Sequence, residues 1–195
     1  MYDLENLKPD IRDLKQMEKV VYDTEWAKTA PNLELYYMYR GLERKDNLRY
    51  DITVIPAQML GEEFVKTKGH EHCGDFQELY TVLEGEAIFL MQKQRGRDIE
   101  DVFAIKTKQG ESVIVPPGYG HVTINPGRNE LKLSNWVNND CHGNYELFEK
   151  MQGACYYYTK SGWIKNNNYA KVPELRFEEP LKSTPIDLGF LNQNE

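Results

Sequence analysis

The chain has 195 residues, three cysteines and a net charge of −7, with 24 Lys and Arg against 31 Asp and Glu. That length suits one domain with its own buried core, and the acidic balance argues against a nucleic-acid partner or an anionic membrane surface. No apolar run approaches a membrane span, Met1-Tyr2-Asp3-Leu4-Glu5 lacks the basic and apolar regions of a secretory signal, and Cys73, Cys141 and Cys155 show no paired spacing that would point to a disulfide framework. A cytoplasmic location with free thiols is therefore expected.

In chain order, Ile11, Leu14, Met17, Val20 and Val21 recur at helical spacing and predict a short amphipathic helix within residues 10–28. From Leu33 the pattern becomes strand-like, at residues 35–40, 50–55, 63–66, 78–84, 87–92, 102–106, 112–115, 122–125, 131–136 and 154–159. Many short strands separated by turn residues favour an all-β closed barrel or jelly roll. The polar stretch 93–98 reads as a hairpin tip. After Asn166 the chain changes character: three consecutive asparagines, prolines at 173, 180 and 185, and scattered Leu and Phe predict an extended tail. The expected division is thus 1–166 for the barrel and its helix, and 167–195 for a tail packed on the barrel or on a partner subunit.

His70-Glu71-His72, Glu78 and His121 carry the chemistry. Alternate residues of a strand share a face, so His70 and His72 form a natural chelating pair. Residues 73–77 form a turn that brings Glu78, at the head of the next strand, beside the pair. Further on, the run Gly110–Val115 ends in Pro116-Pro117-Gly118, and the chain re-enters a sheet with His121 at its mouth. A His-x-His on a strand is by itself more often solvated than ligating, but two linked halves of this kind favour a metal. Three imidazoles and one carboxylate suit zinc, iron, manganese or nickel, and leave open positions on an octahedral ion. Cys73 alternates away from both histidines and reads as filler rather than as a ligand.

The His-x-His pair with Glu78 and Gly85, and the string Gly110, Pro116, Gly118, His121, Asn125, resemble the two motifs of the cupin superfamily. Thr67-Lys68-Gly69-His70-Glu71-His72, Glu78-Leu79-Tyr80 and Val115-Pro116-Pro117 are similar, more specifically, to cupin-type glucose-6-phosphate isomerases of archaea and some bacteria. Arg12 to Met17 and the tyrosine-rich Leu35 to Tyr39 share that similarity, which spans residues 8–150. The resemblance implies a double-stranded β-helix, a jelly-roll barrel, that interconverts glucose 6-phosphate and fructose 6-phosphate in glycolysis or gluconeogenesis. It also implies one divalent metal per chain, iron(II) ahead of manganese, zinc or nickel, held by His70, His72, Glu78 and His121. Thr53, Thr67, Gly69 and Tyr80 fall at the phosphate-contacting positions, and Tyr36 places a hydroxyl near the sugar. Glu78 is the expected base of an enediol route, with a hydride shift as the competitor.

Strict alternation puts Thr67 opposite His70, so both face one ligand only if the strand bulges, which Gly69 would permit. His142 lies in a stretch similar to the family's His and Tyr pair, one residue out of step, and joins Glu78 and Tyr36 as a catalytic candidate. Trp136-Val137 lacks a tyrosine that the family carries, and Gly118-Tyr119-Gly120 makes a smaller turn than usual. A cupin dioxygenase and a non-catalytic sugar-binding cupin are the alternatives; the hydroxyls of Thr53, Thr67 and Tyr80 favour the isomerase over both. The apolar tail and exposed sheet edges predict a homodimer.

Overall fold

The structure, a computed structural model, describes residues 2–192. The chain runs through β1 (Asp10–Asp13), α1 (Leu14–Met17), α2 (Thr24–Thr29), β2 (Glu34–Lys45), β3 (Leu48–Ile55), β4 (Met59–Leu60), β5 (Glu63–Phe64) and β6 (Glu71–His72). It continues with β7 (Glu78–Glu84), β8 (Glu86–Arg95), β9 (Asp98–Lys108), β10 (Ser112–Val115), β11 (Gly120–Ile124), β12 (Leu131–Asn138) and β13 (Gly143–Asn144). Last come α3 (Glu146–Lys150), β14 (Tyr156–Thr159), β15 (Gly162–Lys165) and β16 (Arg176–Glu178).

A six-stranded sheet in the order β1-β2-β3-β12-β7-β10 and a four-stranded sheet in the order β11-β8-β9-β16 carry the fold, joined by two smaller sheets, β13-β6 and β15-β14-β5-β4. Hydrogen bonding does not run continuously around the molecule, so the architecture is the all-β cupin jelly roll rather than a closed barrel. In β8, Ala87 to Gln92 are all buried. A strand buried on both faces needs cover on its outer side, and Phe148, Met151, Tyr156 and Tyr169 from the last third of the chain belong to the same apolar cluster. The turn of the β8–β9 hairpin lies between Arg95 and Asp98, within the polar stretch expected there.

The N-terminal helix is shorter than its apolar spacing predicts. Asp10–Asp13 pairs with β2 as an edge strand, and helix starts only where the Asp13 carboxylate accepts the amide hydrogen of Gln16 in a capping box. Leu14, Met17, Val20 and Val21 are buried, whereas Ile11 is 42% exposed. A second helix begins at Asp23, which caps Trp26 N at 2.8 Å.

The described part of the tail packs on its own jelly roll. β16 adds to β9 as a parallel strand, and Leu181 bridges to Ser112. The Thr184 hydroxyl lies 3.0 Å from Thr81 Oγ1 and 3.1 Å from Ser112 Oγ, while Leu188, Phe190 and Leu191 pack with Leu48, Leu79, Ile114 and Trp136. No break in packing falls at residue 166: Asn166 is buried and donates to the carbonyls of Met151 and Ala154 at 2.7 and 2.9 Å. Residues 193–195 of the expected tail lie outside the described residues.

Candidate metal centre

Gly69 makes the site possible. Its φ is +81°, and a Cβ there would lie 2.5 Å from Phe148 Cδ1 and 2.7 Å from Val122 Cγ2, so a side chain would meet both backbone strain and a clash. The kink breaks the strand alternation, and Thr67 and His70 both line one cavity. His70 then pairs with His121 across an antiparallel bridge, with His121 N donating to His70 O at 2.9 Å. His72 sits in β6 opposite Gly143, where a Cβ would lie 2.7 Å from His70 Cδ2. Glu78 enters from β7 in the six-stranded sheet and His121 from β11 in the four-stranded sheet, so both main sheets contribute.

The donor atoms of His70, His72, Glu78 and His121 lie within 4.8 Å of one another. Glu78 Oε2 is 3.1 Å from His72 Nε2 and 3.4 Å from His121 Nε2. His72 Nδ1 lies 2.9 Å from the carbonyl of Phe76, which can only accept, so Nδ1 keeps its proton and Nε2 faces the cluster. Asn135 Nδ2 donates to Glu78 Oε1 at 2.7 Å, reserving that oxygen and leaving Oε2 for the cluster. His121 Nδ1 is buried without a hydrogen-bond partner.

Burial alone would push the Glu78 pKa up, but His121 and His72 beside it bring it well below the usual carboxylate range. Burial, followed by the neighbouring His121, holds His70 well below the usual imidazole range, and burial lowers His121 as well. Burial also pulls His72 down, but Cys141 and Glu78 outweigh it and raise its pKa to about 11. An ionised carboxylate among imidazoles that converge on one point is the donor set of a divalent transition metal. Cation binding there would displace the His72 proton, as ligand deprotonation requires.

Tyr36, Thr53, Thr67, Gly69 and Tyr80 line the same cavity as the cluster. Thr67 Oγ1 accepts the amide hydrogen of Thr123 at 2.9 Å, which leaves its own hydrogen free to donate. The Tyr36 hydroxyl accepts from Lys68 N at 3.2 Å, and the Tyr80 hydroxyl lies 3.3 Å from His121 Nε2. His142 is not brought in. It is exposed, its carbonyl accepts from Cys73 N at 2.8 Å, and with Arg44 it lines an adjoining groove that shares Arg40, Arg49 and Tyr145 with the cavity. Tyr145, three residues on, faces the cavity instead. Cys73 is exposed and outside the cluster, while Cys141 is buried in the cavity wall.

Sequence reasoning missed Arg40, Arg49, Asp51, Lys68, Asn135 and Tyr145, which complete much of the lining. Arg49 and Asp51 precede Thr53 at alternate positions of β3, a signal that was available once Thr53 faced inward. Asp51 is buried and accepts from Gly41 N at 2.7 Å and from Arg49 Nε at 3.0 Å. Asn135 had no such signal, because only the β12–β7 register, Asn135 opposite Tyr80, brings it to Glu78.

Two facing sheets with a buried histidine and glutamate cluster between them define a cupin-type fold with a candidate metal centre. Among solved structures, a cupin superfamily protein from Desulfitobacterium hafniense is similar at 17% identity and a TM-score of 0.38, covering 54% of this chain and 78% of that one. So distant a likeness adds nothing to the strand order above. The chain belongs to the glucose-6-phosphate isomerase family, whose profile matches residues 16–174. It is 33% identical over 130 residues to a glucose-6-phosphate isomerase of Thermococcus litoralis, covering 64% of this chain and 66% of the relative. To one of Pyrococcus furiosus it is 32% identical over 130 residues, covering 64% of this chain and 67% of the relative.

Proposed function

We propose that this protein interconverts glucose 6-phosphate and fructose 6-phosphate. The observation that carries this reading is that one cavity holds both the His70, His72, Glu78, His121 cluster and the hydroxyls of Tyr36, Thr53 and Thr67 beside Gly69. A divalent metal held by the cluster would supply electrostatic stabilisation for charge developing on the sugar oxygens. Thr53, Thr67 and Tyr80 would donate to phosphate oxygens together with the Gly69 amide, and Tyr36 would orient the sugar through its hydroxyl.

The reaction takes the proton from C2 of the open-chain aldose and returns it to C1, while a hydroxyl proton passes from O2 to O1; nothing is oxidised overall. Glu78 is the carboxylate of the cluster and our choice of base. Its Oε1 carries the Asn135 hydrogen bond and has a second lone pair, so it can take a proton without leaving its place.

Iron(II) is the proposed metal. The test is an assay on stripped protein with iron, manganese, zinc or nickel restored one at a time, following sugar phosphate interconversion and dioxygen uptake together. Metal-dependent interconversion without dioxygen uptake supports the isomerase, and dioxygen uptake alone would make the protein an oxygenase.

A homodimer is proposed as well, supported by Phe177 and Ile186, which stay 58% and 96% exposed on the tail. Light scattering that returns a monomer at working concentration would overturn it. No helix among the described residues is long and apolar enough to cross a membrane; a cytoplasmic location is the proposed one, and cell fractionation would test it.

A further inference from the structure

Behind Tyr36 and Tyr145, two residues of the cavity wall, lies a cation with no counter-ion. Arg12 sits on β1 directly opposite Tyr36, and residues paired across neighbouring strands share a face, so its side chain is on the side of the sheet that Tyr36 presents to the cavity. Its guanidinium carbon lies 5.7 Å from the centre of the Tyr145 ring, and Lys68 Nζ lies 5.6 Å from the same centre. Tyr36, Lys68 and Tyr145 all line the cavity.

The two cations differ in one respect. Lys68 is neutralised by Glu149 at 2.5 Å. Arg12 has no carboxylate in ion-pair contact among the described residues, and its Nε is buried with no hydrogen-bond partner at all. A guanidinium has five donors and no acceptor, and a buried N–H without a partner is costly to keep. A partly buried charge without its opposite is costlier still unless a ligand supplies one. The neighbouring Tyr145 ring offers cation–π attraction but no acceptor for Nε.

We infer that Arg12 is a phosphate-recognising residue, whose missing counter-ion is the dianionic group of the substrate docked against Thr53, Thr67 and Gly69. This inference rests on the isomerase reading for the identity of the substrate. It replaces a phosphate site of neutral donors alone with one that also carries a charge. Guanidinium is suited to this role because its planar fork meets two phosphate oxygens at once.

The test measures binding directly, so that it does not depend on turnover. 6-Phosphogluconate and gluconate are titrated calorimetrically into metal-loaded parent, Arg12→Gln and Arg12→Lys proteins, with metal content and thermal midpoint recorded for each. Loss of a charge-assisted hydrogen bond predicts that Arg12→Gln binds 6-phosphogluconate about tenfold to a hundredfold more weakly, with gluconate affinity and metal content unchanged and a ligand-free midpoint that is not lowered. Arg12→Lys keeps the charge and loses the fork, so it should recover part of the affinity. Should Arg12→Gln fail to fold, Arg12→Lys still decides by binding more weakly than the parent. Equal 6-phosphogluconate affinity in parent and folded variants, or a parent that does not bind it, overturns the inference. A parent that binds 6-phosphogluconate through Arg12 yet interconverts no sugar phosphate with any metal leaves Arg12 as an anion site and overturns the isomerase reading alone.

Discussion

The two ends of the cavity are built in opposite ways. At the metal end two ligands are held by outer partners, His72 Nδ1 by the Phe76 carbonyl and Glu78 Oε1 by Asn135, while Gly143 leaves room for the His70 ring and His121 Nδ1 stays without a partner. At the phosphate end the groups are left short of partners: the Thr67 hydroxyl has a hydrogen to give, and Arg12 Nε has nothing to give its hydrogen to. A site for a resident ion gains from geometry locked in advance, because outer partners fix each ligand's tautomer and direction. A site for a substrate that comes and goes must keep donors free, since a donor already satisfied has little to offer an incoming phosphate.

The largest effects should come from dismantling the locked end. His72→Ala and His121→Ala each remove one of the four converging ligands, so bound metal should fall from about one per chain to a trace, and interconversion by roughly a thousandfold or more. Metal analysis after gel filtration checks this. Unchanged metal content in both variants would mean that the cluster is not the centre. The histidines are buried, so the thermal midpoint of the metal-free proteins should be compared to separate lost binding from lost folding.

A smaller change tests the locking itself. Asn135→Ala leaves all four ligands in place and frees Glu78 Oε1, so metal affinity should drop about tenfold to a hundredfold, as seen when outer partners of metal ligands are removed. Competition with a chelating dye reads this directly. The freed oxygen should also change the ligand field, visible in the absorption spectrum of the cobalt-loaded protein. An unaltered spectrum and affinity would show that Asn135 serves only packing.

The open end should respond through the substrate alone. Thr67→Val and Thr53→Val keep shape and strand preference, so each should raise the KM for fructose 6-phosphate about tenfold and leave metal content unchanged. The expected change is smaller for Thr67 than a free hydroxyl would give, because its oxygen also anchors Thr123 N, and part of the loss should appear as a lower thermal midpoint. KM values equal to the parent's in both variants would move the phosphate elsewhere.

The same contrast explains what could be read from the chain. The metal end is local: three of its four ligands fall within nine consecutive residues, His70 to Glu78, and the fourth follows a Pro-Gly turn, so spacing alone points to it. Gly69 was legible for the same reason, as the one residue that lets Thr67 and His70 face one ligand. The open end is assembled from β1, β2, β3, Tyr80 of β7 and the Thr67–Gly69 segment, and its neighbours are set by register, which the chain does not spell out. Arg12 is the clearest case. Its surroundings in the chain read as helix, yet it sits on an edge strand because Asp13 starts the helix one residue later. His142 shows the reverse: resemblance, one residue out of step, suggested it, and the pairing of Gly143 and Asn144 with β6 brings Tyr145 to the cavity and leaves the imidazole at the rim.

The central claim is that both ends act on one substrate, and the most direct test is to compare fructose 6-phosphate with fructose as substrates of the iron-loaded protein. If the phosphate end contributes several charge-assisted hydrogen bonds, kcat/KM should favour the phosphorylated sugar by at least about a hundredfold, and stripping the metal should abolish both reactions. Equal turnover of the two sugars, or interconversion that survives complete removal of metal, would contradict it.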